Sequence, residues 1–361
     1  MAIILTYSSN ASALCGKRLA EGGLVAFPTE TVYGLGAHAL NKSAVLEIFA
    51  AKGRPSTDPL IVHIAQLAQV APLVQMTAPE QCIFNALAKT FWPGPLTLVV
   101  AASTQVPREV TAGKNSVGLR MPAHPVALEL LLAAGVPVAA PSANLFGHVS
   151  PTTAQHVFAD LAHTDVTILD GGACTIGIES TVLKICDGNN LLLLRRGAVS
   201  PDQILNALEQ NKISVSLTEF RREEKSIAVA QDAPGQLLTH YAPSLPTFIL
   251  ARQNSSQAHS QSFSRNFTTN TLNSCVHIDF KGQNAAVKSA CLEYRDLSGE
   301  GNAEEAALNL FSFLRWAENV PRATTILLPD FWGFSDPLLA AIFDRVYRSA
   351  SGKYAFFKDE I

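Results

Sequence analysis

Several signatures are missing from this 361-residue chain, and each absence removes a class of chemistry. No GxxxxGK[ST] phosphate loop is present and no GxGxxG follows a strand-like run. Neither HExxH nor GxSxG occurs, so the common nucleotide and hydrolase signatures are absent. There is no CxxC pair and no Cys/His cluster at zinc-ligand spacing. The six cysteines, Cys15, Cys82, Cys174, Cys186, Cys275 and Cys291, stand far apart. An even count leaves disulfides open, but a chain this long does not need them. The expectation is reduced, structural thiols in a cytoplasmic protein. No uninterrupted apolar run approaches the roughly 18–20 residues of a membrane span. Met1–Tyr7 is apolar but lacks the basic start and small-residue cleavage site of a secretory signal.

Charge is also scarce. Only 16% of residues are charged and the net charge is −3, which excludes a strongly basic nucleic-acid coat but not a local basic cleft. Residues 1–208 hold twelve Lys or Arg against thirteen Asp or Glu. Hydrophobic residues make up 48%, enough for a sizeable core, and the length suggests two or three domains.

Residues 1–208 read as one α/β unit. Short apolar runs bounded by Gly, Pro or Asp predict strands at 24–28, 60–64, 96–101, 117–121, 136–140, 166–169, 180–185 and 191–194. Helical patterns lie between them at 11–21, 43–52, 79–91, 124–134 and 153–161, with Asn41 and Ser43 as candidate caps. Alternation of the two types predicts a sheet covered by helices. The closely spaced strands from Val166 to Leu194 predict antiparallel pairing there. Residues 209–244 change character. They carry the mixed charge run Arg221–Lys225, followed by Pro234, Gly235 and Pro243, as an interdomain linker would. Residues 245–361 restart as a smaller α/β domain. Strands are expected at 247–250, 276–280 and 324–328, helices at 304–316 and 337–348, and a loop over the Ser/Asn/Gln-rich 252–273. The stripes Leu308, Phe311, Leu314 and Leu338, Ile342, Val346 should face the core.

Six stretches could carry chemistry, and each has a bland alternative. In Phe27–Gly36, Thr29 and Thr31 either cap a turn or face a ligand. Lys52 and Arg54, at a helix end, either answer the helix dipole or clamp a polyphosphate, with Arg54 supplying a bidentate fork. His63 follows inside a strand, where a lone histidine is more often a core residue. Arg120 interrupts the apolar strand 117–121 and needs an anionic partner, either a structural acid or a substrate carboxylate. Val138–Asn144, with Ser150–Thr152 shortly after, ends a buried strand in small residues that let a ligand approach the backbone, or forms an ordinary polar turn. Gly177–Val182 and Leu194–Ala198 place polar or cationic groups at strand edges.

Singly these signals are weak; in order they are specific. FPTETVYGLG, KGRPSTDPLIVHI, FWPGPLTLV, VGLRMPAHP, APSAN, GIESTV and LRRGA together resemble the threonylcarbamoyl-AMP synthase family over most of residues 12–200. The later PGQLLTHYAP, residues 234–243, is similar to the linker motif of that family's long, two-domain form. The resemblance implies an enzyme that takes L-threonine, bicarbonate or CO2, and ATP with Mg2+. It would release pyrophosphate and make threonylcarbamoyl-adenylate, which a separate transferase complex delivers to tRNA beside the anticodon. It implies an open twisted mixed α/β sheet with flanking helices and a concave, positively charged cleft. It also implies a smaller Rossmann-like C-terminal domain and a linker across the cleft mouth.

Carried over by position, the resemblance makes Lys52 and Arg54 the triphosphate and catalytic contacts. Asp58, where relatives often have Asn, would join Ser116, Ser142, Asn144, Ser150 and Arg195 around ATP, with His240 and Tyr241 of the linker covering the nucleotide. Thr31, His63, Arg120, Ala140 and Ser180 would hold L-threonine, Arg120 taking its carboxylate and Ser180 or Thr31 its hydroxyl. No protein metal ligand is implied, because Mg2+ would ride on the ATP phosphates, and no usual general base is required. Three rivals remain: a tRNA-binding module, which the charge count disfavours; a carbamoyl-transfer maturation factor, whose relatives carry zinc fingers absent here; and a non-catalytic regulator.

Overall fold

The computed structural model describes residues 1–187, 189–220, 231, 234, 240–251 and 264–357, with side chains in the last stretch from 266. The expected charge run 221–225, residues 235–239 of the PGQLLTHYAP motif and residues 252–263 of the expected loop lie outside these. The chain divides into two compact units. One holds Met1–Phe146 and Ser150–Gln236; the other holds Gly147–Val149 and Leu237–Ile361.

The first unit contains, in order, β1 (Ile3–Thr6), α1 (Ser9–Ala20), β2 (Leu24–Phe27), β3 (Gly34–His38), α2 (Lys42–Lys52), β4 (Ile61–His63), α3 (Ala78–Phe91), β5 (Leu96–Ala101), β6 (Ser116–Arg120), α4 (Pro125–Ala134), β7 (Val138–Ala139), α5 (Ala154–Leu161), β8 (Val166–Asp170), β9 (Thr181–Ile185), β10 (Asn190–Arg195), α6 (Pro201–Gln210) and β11 (Ser216–Glu219). The strands form one mixed sheet in the order β1-β8-β2-β3-β7-β4-β6-β5-β9-β10-β11.

The helices form where caps and apolar spacing agree. The Asn41 side chain accepts the Ala44 amide at 3.2 Å and starts α2. Gly53, in the left-handed region at φ 61°, ends it, and the chain turns out into the Arg54 loop. Val45, Ile48 and Phe49 bury against the sheet, joining one core with Leu35, Val62, Leu98 and Leu119.

Four expectations need correction. Antiparallel pairing over 166–194 holds for β9 with β10, but β8 leaves them and pairs parallel with β1 and β2. The start of the chain, read only as an apolar run, is edge strand β1. Gly34–Gly36, read as the end of a turn, instead opens strand β3, because its small residues let it pass close to Phe27 and Val138. The sheet also runs past residue 208: α6 packs beside α3, and β11 adds parallel to β10.

The second unit holds β12 (Thr247–Leu250), β13 (Ser264–Phe267), α7 (Thr269–Leu272), β14 (Cys275–Asp279), β15 (Glu293–Asp296), α8 (Ala303–Glu318), β16 (Thr325–Pro329), α9 (Pro337–Ser349) and β17 (Tyr354–Phe357). All pairings in its six-stranded sheet, β13-β17-β12-β16-β14-β15, are parallel, as the Rossmann-like expectation requires. Within the expected 252–273 loop, β13 and α7 form instead, because pairing with β17 satisfies backbone groups that the polar sequence conceals. Phe311 and Leu314 are buried as expected, but Leu308 is exposed and Leu310 takes the core position.

Candidate active site

Strand alternation builds the floor of a site across one face of the first sheet. Side chains two apart share a face, so Ser116, Gly118 and Arg120 of β6 line up beside Ile61 and His63 of β4. Gly118 keeps this floor low. A Cβ there would stand 3.2 Å from Thr97 Cγ2 and 3.6 Å from Ile61 Cγ1. Ser116 and Gly118 line a cavity of about 10 Å³ with Pro59, Thr111, Gln231 and Pro234. The two linker residues are anchored in this unit. Gln231 donates its amide to Thr57 O at 2.9 Å, and Pro234 O accepts from Arg195 Nη1 at 3.3 Å. Ser116 also borders an open cleft of about 620 Å³ that includes Arg108, Lys114 and Lys184.

One end of the floor gathers polar groups around Arg120. Its Nε donates to Gly94 O at 3.2 Å, Nη1 to Thr31 Oγ1 at 3.0 Å and Nη2 to Glu30 Oε1 at 2.7 Å. Thr29 sets the loop that delivers these groups. Its hydroxyl donates to Val32 O at 2.6 Å and accepts the Thr31 and Val32 amides. The cap reading therefore holds for Thr29, and the ligand-facing reading is left to Thr31. The Glu30 carbonyl accepts the Thr175 and Ile176 amides, which fixes the chain there. Glu30 Oε2 is buried and accepts no hydrogen bond from the described residues. Such an unmatched oxygen costs about 1–3 kcal/mol.

His63 lies beside Arg120 in the parallel register of β4 and β6. Burial, with Arg120 adding to it, pushes its imidazole down to about 3, so the ring is neutral. Ser180 completes this end. Its hydroxyl shares a 2.8 Å hydrogen bond with Thr97 and accepts Arg195 Nη2 at 3.1 Å. Ala140 is buried and spends its amide on Ile61 O at 2.9 Å, so a ligand would meet its carbonyl.

Cations mark the other end. Arg54 is buried and pairs with Asp58 Oδ2 at 3.0 Å, while its Nη2 donates to Pro59 O at 2.9 Å. Burial raises the Asp58 carboxyl, and Arg54, Lys52 and Arg195 all pull it down. Burial is the larger influence, so the carboxyl stands above its ordinary value, with Arg54 its ion-pair partner and Lys52 and Arg195 adding attraction. Asp58 is thus the ion-pair partner that holds the Arg54 fork. Lys52 is directed elsewhere than a bare phosphate contact would be. Its ammonium donates to the carbonyls of Ser142 and Asn144, tying α2 to that loop. Ser142 in turn donates to Asn144 Oδ1, and Ser150 donates to Glu179 Oε1 at 2.6 Å.

The first unit therefore brings together Thr31, Lys52, Arg54, Asp58, His63, Ser116, Arg120, Ala140, Ser142, Asn144, Ser150, Ser180 and Arg195. His240 and Tyr241 fall in the second unit, where their rings meet edge to face and Tyr241 packs on Phe311 of α8. Sequence reasoning missed Glu30 and Glu179. Both stand inside motifs it quoted, beside residues it chose, and their burial at 6% and 5% was the hidden part. Among the described residues, no group of three or more His, Cys, Asp or Glu side chains is placed to hold a metal ion.

Comparison with known proteins supplies relatives for both units. The family model described as "Telomere recombination" (Sua5_yciO_yrdC) matches residues 17–197. The model for "Threonylcarbamoyl-AMP synthase, C-terminal domain" matches residues 199–351. The threonylcarbamoyl-AMP synthases of Pyrococcus abyssi and Bacillus subtilis are 46% and 48% identical over 230 and 233 residues, 64% of this chain in each case. The matched region spans 65% and 64% of those relatives' own lengths, just under two thirds. The structure of P. abyssi Sua5 complexed with L-threonine superposes with a TM-score of 0.80 at 32% identity, covering 99% of both chains. A variant of that protein, with a consecutive histidine and tyrosine replaced by alanine, gives 0.79 at 33% identity over 100% of this chain and 99% of that one.

Proposed function

Because the chain belongs to the threonylcarbamoyl-AMP synthase family and carries both of its domains, we propose that it condenses L-threonine, bicarbonate and ATP into threonylcarbamoyl-adenylate and pyrophosphate. The observation that carries this reading is the division of one continuous floor. Arg120, Thr31, Ser180 and neutral His63 form a small polar end. At the other, Arg54 pairs with buried Asp58, and Arg195, which donates to Ser180, attracts the same carboxyl together with Lys52. A short amino acid fits the first and a polyphosphate the second. Arg120 takes the amino-acid carboxylate, and the Thr31 or Ser180 hydroxyl reads the substrate hydroxyl. A site built to pair that hydroxyl rejects amino acids that lack it.

The chemistry needs both ends. An anionic carbamate must approach an anionic α-phosphate, and fixed cations lower the cost of that approach. Arg54 supplies the fork, and Lys52 keeps the Ser142–Asn144 loop against the nucleotide. Mg2+ would travel on the ATP phosphates and neutralise further charge there. Ser116 and Ser150 complete the first unit's nucleotide contacts. The adenylate then passes, in the cytoplasm, to a separate transferase complex that modifies tRNA beside the anticodon. Arg54→Ala tests the assignment. Pyrophosphate release that depends on threonine and bicarbonate should fall by about 10²–10³-fold while the circular dichroism spectrum holds. Near-normal release would remove Arg54 from the site.

A further inference from the structure

An α-amino acid carries its carboxylate and its ammonium on the same carbon. The complement to that pair is a guanidinium and a carboxylate held side by side. Arg120 and Glu30 are such a pair, 2.7 Å apart, 4% and 6% exposed. Arg120 spends three of its five N–H groups on Gly94, Thr31 and Glu30, which leaves one on each terminal nitrogen for a carboxylate. Glu30 Oε1 is taken by Arg120, while Oε2 is buried without a hydrogen-bond partner among the described residues. Resting on the function proposed above, we propose that Glu30 is a catalytic residue. Its Oε2 binds the substrate ammonium and takes the proton that must leave before the nitrogen can attack.

A proton passes from the threonine ammonium to Glu30 Oε2. The freed nitrogen lone pair attacks the carbon of bicarbonate, and the C–N bond forms as water departs. The carbamate oxygen then attacks the α-phosphorus of ATP and displaces pyrophosphate, and the Glu30 carboxylic acid returns its proton to solvent. The charged or titratable groups that face Glu30 are Arg120 of β6, His124 at the head of α4 and Cys174 in the loop after β8. Burial lowers the His124 imidazole and pushes the Cys174 thiol up to about 12, so both are neutral near pH 7. Among the described residues, only Glu30 joins a buried, unmatched acceptor to the arginine that would take the carboxylate.

The test compares wild type, Glu30→Gln and Glu30→Asp in two directions. Forward, pyrophosphate release from ATP, bicarbonate and L-threonine is followed across mildly acidic to mildly alkaline pH. In reverse, ATP formation from synthetic threonylcarbamoyl-adenylate and pyrophosphate requires no amine proton. Glu30→Gln should lose about 10²–10⁴-fold in forward kcat, with a residual rate that climbs roughly tenfold per pH unit as the amine loses its proton in solution. Wild type should be level over that range. The reverse loss should be smaller by roughly tenfold or more, and Glu30→Asp should keep the wild-type pH profile at a reduced rate. Equal losses in both directions, with a profile parallel to wild type, would make Glu30 a scaffold for Arg120 and overturn the proposal. If Glu30→Gln does not fold, Glu30→Asp carries the comparison, because a misplaced base still slows the forward direction more than the reverse. A wild-type chain that forms no ATP from the adenylate would instead overturn the function itself, and this proposal with it.

Discussion

At the scale of residues, the site depends on buried charges whose partners are now visible. The sequence left the anionic partner of Arg120 open between a structural acid and a substrate carboxylate, and the structure supplies the acid. Arg120 makes a structural ion pair with Glu30, and two of its N–H groups remain for a substrate carboxylate. Arg120→Ala should therefore raise the threonine KM by about 10–100-fold, the worth of a charge-assisted contact, and leave the ATP KM nearly unchanged. It should also lower the melting temperature, because Glu30 loses its counter-ion. Steady-state kinetics with each substrate varied in turn checks this, and equal effects on both KM values would place Arg120 outside the amino-acid end. Residue identity alone revealed Arg120 because an arginine inside an apolar strand demands an explanation. It did not reveal Glu30, because an acid inside a Thr/Pro loop looks like surface.

At the scale of elements, the sequence showed where strands and helices lie better than it showed which strands pair. Hydrophobic runs located β5 and β6, and the caps located α2. Nothing local reported that β8 crosses to the far end of the sheet, or that β3 and β7 interleave with β4. Pairing is a property of the whole chain, and polar or glycine-rich strands such as β3 and β13 carry little apolar signal of their own. The site's position across the face of β4, β6 and β5, rather than at strand ends alone, follows from that pairing. Gly118 is the element-scale test. Gly118→Val fits a strand but places its methyl groups in a cavity of about 10 Å³ between Thr97 and Ile61. The ATP KM should rise about tenfold or more, a loss of roughly 1.4 kcal/mol of binding, with a smaller change for threonine. Unchanged ATP kinetics would mean that the nucleotide does not lie on β6.

At the scale of the molecule, each unit buries one neutral histidine in its sheet. Burial holds His63 at about 3 in the first unit and His277 at about 4 in the second. Both folded values lie below the unfolded value of about 6.5. The unfolded chain therefore binds more protons, and stability falls as pH drops below about 6.5. The loss should reach up to about 1.4 kcal/mol per pH unit for each histidine and level off near each folded value. Urea unfolding at stepwise lower pH should show this slope, and His277→Leu should flatten the second unit's share. A stability independent of pH between 6.5 and 4 would contradict the buried, neutral assignment of His277. No described helix is long and apolar enough to cross a membrane.

Every part of the functional account requires that the amine be carboxylated before it is adenylylated. The direct measurement is mass spectrometry of the product formed from ATP, L-threonine and ¹³C-labelled bicarbonate. The account predicts a threonylcarbamoyl-adenylate that carries the label, formed together with pyrophosphate. An unlabelled adenylate of threonine itself, or pyrophosphate released without any acyl-adenylate, would contradict it.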